Sequence, residues 1–372
     1  MVTRTFTAAL YYRTCLFALF FVAASVSFNG YYDKWHFSED GVTGENDRFQ
    51  FEKMVDGTAY RPFVYRQMIP TAANSIDRAV PQSFKAWAYN YQGGGPQAHV
   101  EALFESPTAE NPVYFFRYVI VYSATFLFAL LAVYAMHLVC QALGLPPPAA
   151  VFAPVLVILL VPYVESGGGF FYDYPELAFL ALAVWVALRF RWWWVIPVAA
   201  LGAWNKESFV FILPALYPFF RQRSSRLRAW LAVSVLGVVC LAVYYPIHLH
   251  FAHNPGEAME VHWRDQLNYF LHVRDFVLGT EMTYGVPMLK AFTLAPLTLL
   301  AWTVWRSWQS LPRVIQRHGQ IAAAINIPLY LLSCSPGELR DLSLLYVFFL
   351  LALATALNNW IGKACGAGAQ AL

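Results

Sequence analysis

Apolar residues along this chain gather into blocks separated by short polar stretches. Ten blocks stand out, at 7–28, 113–141, 149–164, 172–189, 192–204, 208–220, 228–247, 286–305, 320–334 and 342–360. A helix needs about 20 apolar residues to cross a bilayer core of about 30 Å, and several blocks have that length. The pattern predicts an all-α, polytopic integral membrane protein with about ten transmembrane helices in one transmembrane domain, 1–372.

The fifth and sixth blocks are two only because "LGAWNKESFVFILPAL", 201–216, places Asn205, Lys206, Glu207 and Ser208 inside a run from Trp192 to Phe220. A single helix over that run would be about 43 Å long, well beyond the core. A lysine at its centre would cost about 2.5–3.5 kcal/mol. Charge decides the matter. "RFR" at 189–191 and "RQRSSRLR" at 221–228 flank the run, and both belong on the cytoplasmic side. The chain therefore goes out and returns, turning at "NKES". Each limb reaches only about 18–20 Å, so the turn is expected to lie recessed in a cavity below the outer surface.

Composition supports this reading. The chain is 59% hydrophobic and 13% charged, where a soluble domain carries roughly 25% charged residues. Under the proposed topology the cytoplasmic segments hold Arg4, Arg189, Arg191, Arg221, Arg223, Arg226, Arg306, Arg313, Arg317 and Lys363, with no acid, while all 22 acids fall on or beside the other face. Both termini are then cytoplasmic, and the polar chemistry is extracytoplasmic. The five cysteines form neither a CxxC pair nor a disulfide framework. No nucleic-acid partner is expected.

The outer face has a first extracytoplasmic loop, 29–112, a second large one, 248–285, and the short segments "ESGGGFFYDYPE" (165–176), "NKES" and "CSPGELRD" (334–341). In the first loop, Val64, Met68, Ile69, Ala72, Ile76, Ala79 and Val80 form a helical stripe. It predicts an amphipathic helix on the outer leaflet, bent near Pro70. Arg61 and Arg66, interleaved with Tyr60 and Tyr65, precede it at headgroup depth. A forked guanidinium there suits a phosphate; anchoring to anionic headgroups accounts for it equally well. Asp33 in "YYDKWHF" and Asp47 in "DRFQFEKMVDG" are candidate general bases for a hydroxyl acceptor, and the sequence does not separate them.

"DYPE" reads as a capping box, Asp173 and Glu176 flanking Pro175 at a helix start. "SPGE" at 335–338 repeats it, with Ser335 as cap and Glu338 three residues on; Asn205 is placed to cap the helix after it. Capping leaves Lys206 and Arg340 unexplained, because a cation at a helix N-terminus opposes the dipole. A bound anion would remove the conflict, and so would pairing with the neighbouring Glu207 or Asp341. His248, His250, His253, Glu257 and His262 match no zinc spacing.

With these residues in view, the chain resembles the GT-C superfamily of membrane glycosyltransferases. "ENDRFQFEKMVDG" at 45–57 is similar to the acid-then-helix stretch of the superfamily's aminoarabinose and mannosyl transferases, although Asn46 splits Glu45 from Asp47 where relatives have adjacent acids. "LGAWNKESFVFILPAL" is similar to their Gly-Leu-Ala…Lys…Leu-Leu-Pro stretch through Gly202, Ala203, Lys206 and Pro214. The resemblance implies transfer, with inversion, of a sugar from a polyprenyl-phosphate carrier to an acceptor outside the plasma membrane of a bacterium. It implies Asp33 or Asp47 as base, Lys206 with Arg61, Arg66 or Arg340 on the departing phosphate, and Asp173 and Glu176 orienting the acceptor or a divalent cation. Glu207, Glu338, Arg340 and Asp341 complete the implied substrate-binding set. The alternatives are a transporter or flippase of a lipid-linked or anionic substrate, for which His137 and Lys290 would be the intramembrane polar residues to watch, and a non-enzymatic assembly protein of the cell envelope.

Overall fold

The computed structural model describes residues 2–37, 48–91, 104, 106–257 and 259–369. Helix accounts for 78% of the chain, and the described strands form one antiparallel hairpin. The fold is therefore all-α. The first helix, α1 (Val2–Trp35), leads into four shorter ones: α2 (Phe51–Asp56), α3 (Met68–Ala79), α4 (Gln82–Tyr91) and α5 (Pro107–Glu110). Then come α6 (Phe115–Ala142), α7 (Pro147–Val164), α8 (Asp173–Arg189), α9 (Val195–Asn205), α10 (Leu213–Arg223) and α11 (Arg226–His250). After α12 (Trp263–Leu271) and α13 (Val273–Leu278), strands β1 (Thr280–Thr283) and β2 (Val286–Leu289) precede α14 (Leu294–Trp308), α15 (Arg313–Ser333) and α16 (Tyr346–Ala369). Among the described residues, five segments are long and apolar enough to cross a membrane: Leu10–Trp35, α6, α7, α11 and Leu339–Gly362.

The core centres on α8. Nearly every residue from Asp173 to Ala187 is buried, as a helix without a polar stripe requires. Its small residues Ala178, Ala181, Ala183 and Ala187 let neighbours approach closely. The closest neighbour is α6, which presents Ala129, Ala132 and Ala135, all buried. Helices α9, α10 and α16 also contact α8.

The run 192–220 folds back. Helix α9 ends at Asn205, Glu207–Ile212 forms a 3₁₀ turn, and α10 follows. At the far end, Arg223 Nη1 donates to the Phe190 carbonyl at 2.9 Å, and its other arm reaches the Leu188 carbonyl. Both arginine-bearing turns thus lie at one end of the bundle. The return limb is longer than expected, about 28 Å, because it runs from Glu207 to Arg223 and its 3₁₀ stretch rises about 2 Å per residue. The turn closes tightly on Gly202, where a Cβ would stand 2.5 Å from the Phe209 ring.

Two expectations are corrected here. The helical stripe from Val64 divides into a 3₁₀ turn, Phe63–Tyr65, and α3. Pro70 falls in the first turn of α3, where a missing N–H costs nothing, so the chain changes direction before Met68 and not at the proline. The buried residues of α3, Met68, Ile69, Pro70 and Ala73, pack on α6 and α9, while Ala72, Ile76 and Ala79 of the stripe stay exposed. The block 286–305 is not one helix. Its first residues belong to the hairpin, whose two-residue tip, Tyr284 and Gly285, has φ of 54° and 71°. Positive φ at both tip residues is the hallmark of a type I′ turn, and helix resumes only at Leu294. The Tyr284 ring lies over Gly30 of α1, where a Cβ would sit 2.3 Å from it, and its hydroxyl donates to the Leu159 carbonyl of α7 at 2.8 Å. Lys34 of α1 pairs with Glu281 of β1 at 3.0 Å.

Candidate functional site

Glu176 lies one turn into α8. Its Oε2 accepts from Lys206 Nζ at 2.7 Å; its Oε1 accepts from Ser343 Oγ at 2.7 Å and from Ser208 Oγ at 3.4 Å. Three segments far apart in sequence thereby meet on one carboxylate. Asn205 Nδ2 donates to the Tyr172 carbonyl at 2.9 Å, tying the α9 end to the α8 start. The Tyr172 ring is shared by two cations: Lys206 Nζ lies 5.7 Å and the Arg66 guanidinium 4.3 Å from its centroid. Arg66 also donates to the Tyr172 hydroxyl and pairs with Glu207 Oε1 at 3.3 Å.

Arg340 holds the other half. It pairs with Glu338 Oε2 through Nη2 at 3.0 Å and Nε at 3.1 Å, and Nη1 donates to the Gly168 carbonyl at 2.8 Å. The same Nη1 stands 3.9 Å from both Glu165 Oε2 and Asp173 Oδ2. Asp341 contributes further negative charge toward Lys206. The turn that carries Arg340 and Ser343 is fixed from α15. The buried Asn326 donates to the Asp341 carbonyl at 2.9 Å and accepts from the Leu344 N–H at 3.1 Å. Replacing Asn326 with alanine strands both backbone groups. At about 1–3 kcal/mol per buried unpaired group, it should destabilise the protein by roughly 2–4 kcal/mol, measurable as a lowered thermal midpoint in detergent. A midpoint within error of wild type would refute the anchoring role.

The capping expectations are corrected. The N-cap of α8 is Tyr172, without a side-chain cap bond. Asp173 Oδ2 accepts from the Phe170 N–H at 2.7 Å, and Glu176 is spent on Lys206 and Ser343. No helix starts at Pro336; the next helical turn, Leu339–Leu345, follows Glu338, so Ser335 caps nothing. Lys206 is relieved by a distant partner, Glu176, and Glu207 goes to Arg66, whereas Arg340 takes Glu338, only two residues back along the chain.

Six acids (Glu165, Asp173, Glu176, Glu207, Glu338, Asp341) face three bases (Arg66, Lys206, Arg340). Burial, reinforced by the Asp173 charge, pushes Glu165 well above the usual carboxylate range. Burial does the same to Glu338, outweighing the pull of Arg340. Burial works against the charged form of Lys206, but the Glu176 carboxylate overrides it and raises the ammonium above its ordinary value. Burial thus weakens the charged form of Glu165 and Glu338 within this acid-rich cluster.

The site is closed. Lys206 and Glu176 are buried, and the expected recess around the turn is filled by these side chains. Its accessible edge is the Arg66–Glu207 pair, 11% and 24% exposed at the side chains. Glu207 Oε2 has no hydrogen-bond partner among the described residues.

The structure brings together Arg66, Asp173, Glu176, Lys206, Glu207, Glu338, Arg340 and Asp341. It does not bring Asp33, which is exposed at the α1 end and accepts from Asn29 Nδ2 at 2.8 Å. Tyr31, two residues earlier, faces the Glu165–Asp173 side, and two residues are about 200° of helix. Nor does it bring Arg61, whose N–H donates to the Pro255 carbonyl at 2.8 Å and whose guanidinium donates to the Gly256 carbonyl. Asp47 lies outside the described residues. His137 Nδ1 is bonded to the Ala150 carbonyl at 2.7 Å, a helix-packing contact. Sequence reasoning missed Glu165, Tyr172, Ser343 and Asn326; of these, the amide inside the apolar stretch "AAAINIPLYLL" was the readable signal. Among the described residues no group of three or more His, Cys, Asp or Glu side chains is arranged to hold a metal ion, so the divalent cation finds no ligand set here.

No protein family, curated protein or solved structure matches the chain.

Proposed function

We propose that this protein is a membrane glycosyltransferase that moves a sugar from a polyprenyl-phosphate carrier to an acceptor hydroxyl on the extracytoplasmic face of a bacterial plasma membrane. The observation that carries the reading is the meeting of Arg66, Lys206 and Arg340 with six acids, at the end of α8 opposite the Arg223–Phe190 contact. On this reading the chain crosses ten times in a GT-C-like arrangement, both termini are cytoplasmic, and that end faces outside. Of the three cations, Lys206 and Arg340 are neutralised internally, and Arg66 stands at the edge. A donor phosphate draws Arg66 from Glu207 by offering a doubly accepting anion. Glu207 then takes the proton of the acceptor hydroxyl. The acceptor oxygen bonds to the anomeric carbon from the face opposite the leaving group, the carbon–oxygen bond to phosphate breaks, and the electron pair leaves with the phosphate. Arg66 stabilises that developing charge, with the buried Lys206 as a second fixed positive charge near Tyr172.

The acid excess favours a second reading, a proton-coupled carrier of an anionic substrate. One assay separates the two: transfer of labelled sugar from polyprenyl phosphate to membrane acceptors, by membranes bearing the protein. Arg66→Ala and Glu207→Gln should each lower transfer by about 10²–10³, the usual cost of losing one group that stabilises or deprotonates in the transition state. Wild-type product from both variants would overturn the transferase reading. Labelled anion accumulating in proteoliposomes under a proton gradient, without sugar transfer, would establish the carrier.

A further inference from the structure

A cavity of about 810 Å³ lies away from the charged cluster, between α3, α4 and the start of α6. That volume falls within the range of small-ligand sites. Its wall ions are mostly paired. Lys85 meets Asp77 at 2.9 Å and Arg117 meets Asp56 at 2.8 Å, with Tyr114 donating to Asp56 at 2.6 Å. Three lining side chains, Arg78, Gln82 and Asn90, have no such partner among the described residues. Among the described residues, Arg78 is thus an unpaired, exposed guanidinium beside two unpaired amides.

The cavity also has an apolar side. Phe116 and Val113 line it, and Phe84 packs on Phe116 and on Trp87, with ring centroids 6.2 and 5.3 Å apart. Phe84, Trp87 and Val113 are 48%, 53% and 67% exposed. Aromatic side chains so displayed are the usual furniture of a membrane–water boundary. A recess holding a free cation and amides next to exposed aromatic and aliphatic side chains matches one amphipathic ligand: a headgroup phosphate joined to hydrocarbon.

We propose that this cavity binds the phosphodiester headgroup of a bilayer glycerophospholipid, with Arg78 on the phosphate, Gln82 and Asn90 donating to it, and the acyl chains lying along Phe84, Trp87 and Phe116. The proposal rests on the protein being embedded in a membrane and not on the transferase reading. It also gives α4 a purpose: a helix with exposed Phe84 and Trp87 is held against the bilayer by the lipid it clasps.

Native mass spectrometry tests it, on the full chain stripped of lipid in detergent and then offered phosphatidylglycerol. Wild type should retain one lipid. Arg78→Ala should weaken retention by about tenfold or more, the worth of a charge-assisted hydrogen bond, and Ala86→Trp, which fills the cavity from α4, should abolish it. Both positions are exposed, so thermal midpoints of the stripped variants should equal wild type and show that folding is intact. Equal retention by wild type and Ala86→Trp would overturn the proposal. Soluble glycerophosphoglycerol competing as well as the intact lipid would overturn it too, since the site would then read a free phosphodiester and no membrane component.

Discussion

Lys206→Met should destabilise the protein by about 3–5 kcal/mol, the usual cost of leaving one member of a buried ion pair alone. The Glu176 carboxylate would lose its 2.7 Å ammonium partner in a site where neither residue is appreciably exposed. Ser343 and Ser208 would still donate to it, which keeps the loss at the lower end of that range. Adding Glu176→Gln to the same chain should recover much of the stability, because an uncharged amide accepts from the serine hydroxyls without an uncompensated charge. The double-mutant cycle, followed by chemical or thermal unfolding in detergent, should show coupling of more than about 1 kcal/mol. If the two losses simply add, the pair is not the keystone of the site.

Glu165→Gln should change how stability depends on pH. The carboxyl is raised well above its ordinary value in the folded protein, by burial first and the neighbouring Asp173 charge second. The folded state therefore holds this proton where the unfolded chain has lost it. Stability from that proton is complete below the ordinary carboxylate value, about 4.3, and is lost as pH rises through the raised folded value. The slope reaches about 1.4 kcal/mol per pH unit. Glutamine presents the protonated form's shape without titrating, so the variant should gain on wild type steadily from about pH 4.5 upward. Parallel melting-temperature curves for the two proteins across pH 5–8 would show that Glu165 is ionised throughout. Glu338, raised by burial as well, adds a second slope of the same sign in both proteins and leaves their difference to Glu165.

Helix placement was largely legible because apolar blocks declare themselves without knowledge of the rest of the chain. The break at Asn205–Glu207 could be read from one lysine in a greasy run and from the arginines on both sides of it. The partners could not be. Lys206 and Glu176 are 30 residues apart, and which carboxylate reaches the ammonium depends on how α8 lies against the turn. Local grammar misled at "DYPE" and "SPGE", where the acids match a capping pattern but Glu176 is claimed by Lys206 and Ser343 from distant segments and Glu338 by Arg340 two residues on. Glu165 was missed because it follows an apolar helix in a glycine-rich segment and looks like a loop acid, whereas it is 2% exposed. The hairpin was missed because "TEMTYGVPML" is apolar enough to merge with the helix after it; the tip dipeptide Tyr284-Gly285 was the available cue.

The docking of that tip has a practical corollary. By resting an aromatic ring on Gly30 and bonding to Leu159, the hairpin staples α1 to α7 from outside, in the manner of a clasp. The stretch 280–289 is therefore a poor place for an epitope tag, a protease site or a swapped sequence. An insertion there would remove one of several ties between the first helix and α7, which also pack directly and share the Ser27 bond to the Ile158 carbonyl, and a topology reporter at that position would describe a locally altered protein instead of the native one.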